Sequence, residues 1–87
     1  MEIQKIIFEL RKFIKDQFKV SDTDPDFNED VHLFDYGYVD SFGAVNLIAF
    51  VEKTFSIMIS EADLIVYPLN TIRDIAHFVI KRKKGEI

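Results

Sequence analysis

Apolar residues in this chain recur every three or four positions through three stretches. Strict alternation is confined to the short run Ser56-Ile57-Met58-Ile59. A period near 3.6 builds helices with one apolar face, and so short an alternating run supports only an extended connector. In the first stretch, residues 2–18, Ile3, Ile7, Leu10, Ile14 and Phe18 form one stripe widened by Ile6 and Phe13. Glu2, Lys5, Glu9, Lys12, Asp16 and Lys19 line the opposite side, as a core-facing helix requires. Phe8 fits neither face. In the second stretch, residues 41–55, Ala44, Leu47, Ile48, Val51 and Phe55 share a stripe, and Phe42, Val45 and Ala49 make a second line beside it. That second line either meets partners in solvent or belongs to a helix buried on two sides. In the third stretch Ile72, Ile75, Ala76 and Val79 face inward together.

Punctuation between the stretches supports the same reading. Ser60-Glu61-Ala62-Asp63 has capping-box spacing and opens a short helix that Pro68 ends. Thr71-Ile72-Arg73-Asp74 repeats the signal for the last helix. Lys81-Arg82-Lys83-Lys84 closes that helix before Gly85, where cations suit the negative end of the helix dipole and glycine suits the C-cap. This structural account of the four bases displaces a localisation or nucleic-acid patch. His77 shares a polar face with Arg73 and Lys81, and Ile57 and Ile59 of the connector point inward.

At 87 residues the chain is expected to form one domain, residues 1–87. It contains no cysteine, which removes disulfides and thiolate metal sites. Its beginning lacks the basic-then-apolar layout of a signal peptide, and its longest apolar run, Leu47 to Val51, is too short to cross a membrane. A cytoplasmic, soluble protein is expected. Charge is unevenly distributed: residues 1–19 carry +2, residues 20–63 carry −9 and residues 64–87 carry +3. An acidic middle of that size repels nucleic acid and anionic membranes and attracts basic protein partners.

Residues 19–40 make a long connection rich in turn formers: Ser21, Asp22, Asp24, Pro25, Asp26 and Asn28. Val31, Leu33, Phe34 and Val39 can tie its second half to the core, and long ordered loops with a buried underside are often functional. Asp22-x-Asp24-x-Asp26 is not a calcium loop. Glycine at the sixth position and glutamate at the twelfth are missing in either register, and no metal site is expected. His32 has no partner evident from sequence.

The loop ends in Leu33-Phe34-Asp35-Tyr36-Gly37-Tyr38-Val39-Asp40-Ser41-Phe42, and Ser41 stands where the second helix begins. Asp and Ser are both favoured just before a helix, so the pair reads first as a cap. Ser41 there also points its hydroxyl outward beside the positive end of a helix dipole, a natural seat for a phosphate ester. A hydrolase built on Ser41 and His32 is excluded, because the segment lacks the Gly-x-Ser-x-Gly elbow and glycines for an oxyanion loop.

The order of long helix, acidic loop, Asp-Ser at a helix start, short helix and final helix resembles the acyl carrier protein family. That family includes peptidyl and D-alanyl carrier domains. The matching residues are Leu33-Phe34, Gly37, Asp40-Ser41-Phe42, Val45, Leu47-Ile48, Phe55, Ile57, Ile59, Asp63-Leu64 and Leu69-x-Thr71-Ile72. The match spans about residues 3–82. The resemblance implies an all-α, right-handed bundle of three main helices and one short one. It implies a 4′-phosphopantetheine arm attached to Ser41 by a phosphopantetheinyl transferase, with Asp40 helping to hold that enzyme's magnesium. The arm would carry an acyl or aminoacyl group as a thioester between a loading ligase and a downstream transferase. The chain itself would be no enzyme and would be a monomer. Tethering would raise the cargo to roughly millimolar effective concentration at a partner's site.

Against the resemblance, positions that are acidic in fatty-acid carriers hold Gly43, Asn46, Glu52 and Lys53, so only Glu52 keeps its charge. Phe42-Gly43-Ala44-Val45 is similar to D-alanyl carriers, whose typical Trp is absent. Partner contact is accordingly expected at Phe42, Val45, Asn46, Ala49 and Glu52, with the apolar residues leading. The alternative is a cofactor-free helical interaction module that uses the same core and acidic face.

Overall fold

A computed structural model of the chain describes residues 2–87. All regular structure among the described residues is helical: α1 (Ile3–Phe18), α2 (Ser41–Phe55), α3 (Glu61–Val66) and α4 (Ile72–Lys83). The helices start and stop where local chemistry directs. α1 and α2 end on left-handed residues, Lys19 at φ 58° and Ser56 at φ 56°. The box at α3 is complete: Asp63 N–H donates to Ser60 Oγ at 3.1 Å and Ser60 N–H to Asp63 Oδ2 at 2.9 Å. Thr71 Oγ1 accepts from Asp74 N–H at 3.0 Å to open α4.

α1 lies against both α4 and α2. Ile6, Ile7, Leu10 and Ile14 of α1 meet Leu47, Val51 and Phe55 of α2 and Ile72, Ile75, Ala76, Phe78 and Val79 of α4 in one core. Ile3 and Phe18, at the two ends of the expected α1 stripe, are only half-buried. Phe8 is mostly exposed, so it belongs to neither face. Phe50, absent from both α2 lines, is half-buried and stacks on Phe13 with ring centroids 4.0 Å apart. In the connector Ile57 is buried and Ile59 half-buried, as the alternation predicts. α3 contributes no buried residue to the core.

The loop from 19 to 40 is held from beneath. Phe27, Val31, Leu33 and Val39 are buried, and Phe34 rests half-buried against the same core. Phe27 is the loop anchor that periodicity misses, because a single aromatic among turn formers has no pattern to join. Arg11 of α1 lies over its ring at 5.2 Å, and Tyr38 meets it edge-on at 5.2 Å. From the far side, Arg73 of α4 donates through Nε to Asp30 Oδ1 at 2.7 Å, and its backbone N–H donates to Glu29 O at 3.0 Å. The Arg73 guanidinium holds the Asp30 carboxyl below the usual carboxylate range. Leu33 N–H completes the attachment by donating to Asn70 O at 2.8 Å.

Candidate functional site

The end of the loop is built to deliver Asp40 and Ser41 in one conformation. Gly37 turns the chain at φ 77°, a left-handed value that glycine adopts without penalty, and its N–H donates to Phe34 O at 3.1 Å. Val39 N–H returns to Leu33 O at 3.1 Å. Tyr38 OH donates to Asp24 Oδ2 at 2.9 Å. Burial, with the Asp24 carboxylate beside it, pushes the Tyr38 phenol up to about 12. His32 finds its partner here: Nδ1 accepts from Asp35 N–H at 3.0 Å and closes a local turn.

Asp40 is the cap of α2. Its backbone is extended, and Oδ1 accepts from Gly43 N–H at 2.7 Å. Ser41 is therefore the first residue inside the helix, one step past the capping position that its residue type also suits. The backbone amides of a first turn have no partner within the helix, so they and the dipole concentrate positive potential around the exposed Ser41 side chain. Among the described residues no hydrogen bond engages the Ser41 hydroxyl, whereas Ser21 Oγ is paired with Thr23 and Ser60 Oγ with Asp63. Ser56 sits at the C-terminal end of α2, where carbonyl oxygens oppose a phosphodiester.

Gly43 is buried on the underside of that first turn. A Cβ there would stand 2.6 Å from Phe18 Cε1 and 3.1 Å from Val39 Cγ1. The ring that ends α1 occupies the space a side chain at position 43 would need. Gly43→Asp should lower stability by about 1–3 kcal/mol, the usual cost of overpacking. The helix preference over glycine is below ~1 kcal/mol and offsets this only in part. Urea denaturation monitored by circular dichroism checks the sign, and an unchanged midpoint would show that Phe18 swings away freely.

Around Ser41 the surface is apolar. Phe42 is 85% exposed and Val45 67%, and Asn46 and Ala49 are exposed on the same side of α2. The second apolar line therefore faces solvent and is not a second buried face. Ala44 and Ile48, three and seven residues past Ser41, lead instead into a half-open cleft of about 480 Å³ between α2 and α3. Phe34, Leu64, Ile65 and Leu69 complete much of its lining. Glu52 is half-buried, and its Oε2 accepts from Ile59 N–H at 2.8 Å and ties the connector to α2. Sequence reading places Glu52 with the contact residues because a charge on a helix resembles a docking charge. Its internal acceptor role has no sequence signal.

One serine thus stands unengaged at the head of a long helix, with the exposed apolar side chains of Phe42 and Val45 close to it in the chain. The sequence model of a family described as a phosphopantetheine attachment site matches residues 9–79, and the chain belongs to that family. Its members bind 4′-phosphopantetheine covalently on a serine, and such carrier domains are non-catalytic. A search of curated proteins finds no match to the chain. No described helix is long and apolar enough to cross a membrane.

Proposed function

We propose that Ser41 carries the phosphopantetheine arm and that the chain ferries an acyl or aminoacyl group as a thioester between enzymes. The observation that carries this reading is the contrast among the serines. Ser41 alone is exposed at the head of a long helix with its hydroxyl unengaged, while Ser21 and Ser60 are paired and Ser56 lies at a helix C-terminus. In the attachment step Ser41 Oγ gives its proton to a base of the transferase or to water and forms an ester bond to the arm's phosphorus, while the pyrophosphate bond of coenzyme A breaks and adenosine 3′,5′-bisphosphate leaves. Asp40 spends Oδ1 on the cap and has Oδ2 left to meet the transferase's magnesium. Incubation with coenzyme A, magnesium and a broad-specificity phosphopantetheinyl transferase should add one arm per chain. Peptide mass mapping should find it on the fragment containing Ser41. An arm on another serine refutes the assignment, and no arm at all favours the cofactor-free interaction module.

The loading ligase and the downstream transferase are proposed to dock on Phe42, Val45, Asn46 and Ala49, with Glu52 at the edge. The reading carries with it a cytoplasmic monomer that binds no nucleic acid, in keeping with the acidic middle of the chain. Phe42→Ala should raise the ligase's KM by about tenfold or more, as truncating an aromatic anchor does. Glu52→Gln keeps an acceptor for Ile59 N–H and removes only a rim charge, worth ~1 kcal/mol or less, so its effect should stay below about fivefold. Because Phe42 is 85% exposed, its variant should melt within ~0.5 kcal/mol of the parent. A large loss of stability would show that the residue serves the fold instead.

A further inference from the structure

α3 is the one helix that places no buried residue in the core. None of its six residues is buried, and Leu64, Ile65 and Val66 are exposed at 43%, 86% and 66%. A helix this short is marginal without tertiary support. Its support sits at three points, two of them polar. Before it, Ile59 N–H is held by Glu52 of α2. After it, the Tyr67 ring meets Phe78 of α4 edge-on at 5.5 Å. Between them, Arg82 of α4 donates through Nη2 to Asp63 Oδ1 at 2.7 Å.

The third tie differs from the surface ion pairs of this protein. The Asp63 side chain is only 13% exposed and that of Arg82 25%. The guanidinium lies over the Phe78 ring at 4.9 Å, and its Nε is buried with no hydrogen-bond partner. Asp63 also closes the capping box, so one carboxylate both starts α3 and anchors it to α4. Ser60 N–H and Arg82 together keep that carboxyl below the usual carboxylate range. Opposite this anchor, the residues from Leu64 onward wall the cleft whose other side is Ala44 and Ile48 of α2.

We propose that Arg82 is a latch that fixes α3 as the movable wall of the cleft beside Ser41, and that releasing Arg82 from Asp63 opens the cleft without unfolding the bundle. The use of such a latch, to change the space next to a tethered cargo, rests on the carrier reading. The latch itself does not, and the unmodified chain tests it. An orphaned Nε fits this role: the guanidinium gives up one hydrogen bond to reach Asp63, so the closed arrangement is held with less than full satisfaction. Arg82 acts here as a positioning residue, through Asp63.

The experiment is amide hydrogen exchange on the full chain and on Arg82→Met, which keeps the aliphatic stem on Phe78 and removes the donors. Leu64 N–H, bonded to Ser60 O at 3.2 Å, and Tyr67 N–H, bonded to Asp63 O at 2.9 Å, are the reporters. Both should exchange at least about tenfold faster in the variant, while the core amides of α1 and α4 keep their rates. The methyl resonances of Ala44 and Ile48 should shift, because they face the moving wall. Arg82→Lys should restore most of the protection, and Arg82→Gln provides a second charge-free variant should the first not fold. Unchanged reporter amides would overturn the latch. An equal loss of protection throughout α1 and α4 would also overturn it, by making Arg82 a general stabiliser. Neither outcome bears on whether Ser41 accepts the arm.

Discussion

Ser41→Ala should accept no phosphopantetheine from any transferase, with helix content and melting temperature unchanged. Under the proposed assignment the loss is complete, because the Ser41 hydroxyl oxygen is the atom that would form the new ester. The fold is indifferent because Asp40, not Ser41, caps α2, through the 2.7 Å bond from Gly43 N–H. Ser41 is exposed and inside the helix, where alanine is at least as good a residue. Asp40→Asn separates the capping role of Asp40 from its proposed role toward the transferase's magnesium. Asparagine caps a helix as well as aspartate does, so stability should hold. The transfer should nevertheless slow by at least about tenfold, a loss typical of weakening a metal's ligand environment. Asp40→Ala should slow it too and also cost about 1 kcal/mol of stability through the lost cap. Intact mass after timed incubation, with a thermal melt of each variant, reads all three. An arm on the Ser41→Ala chain would end the assignment, and an unfolded Asp40→Asn chain would make Asp40 structural only.

Leu33→Ala should be the most destabilising of these substitutions, lowering stability by about 2–5 kcal/mol. Domains of this kind have ~5–15 kcal/mol in total. Leu33 lies in a loop yet is 0% exposed. It fills the core, donates its N–H to Asn70 O, and receives Val39 N–H on its own carbonyl. The side chain therefore locks the backbone that leads to Asp40. At roughly 4–8 °C per kcal/mol for a domain of this length, the melting temperature should drop by at least about 8 °C. Scanning calorimetry checks this. A fall of only a degree or two would mean that the loop closes over the gap and that Leu33 is not its anchor.

The helices were legible in sequence because periodicity and caps are local. The stripes of α1 and α4, the Ser60–Asp63 box and the turn at Pro68 each depend on residues a few positions apart. What was illegible depends on distant residues meeting. Arg73 with Asp30 and Arg82 with Asp63 are pairs whose members sit on different elements, and no periodicity announces them. Phe18 against Gly43 is of the same kind, though a glycine within a helix is itself a hint that something approaches closely. The site divided the same way. Asp40 and Ser41 stood out as a pair at a helix start, but residue preference could not decide which of two good caps would serve. Phe42, Val45 and Ala49 could have been a buried face or a free one, and only the arrangement of α1 and α4 leaves them in solvent. Glu52 looked like a charge for partners, and nothing in the sequence announced that it also holds Ile59.

The attachments of the loop to Asn70 and Arg73 have a consequence for synthesis. A ribosome adding ~5–20 residues per second makes Ser41 some seconds before Arg73. During that interval the residues of α1, the loop and most of α2 or more have been made, but the groups that receive Leu33 N–H and hold Asp30 have not. The nascent chain thus has the serine without the support that orders its approach. On the proposed reading, an enzyme that recognises the ordered loop would act on Ser41 only once Asn70 and Arg73 have been made.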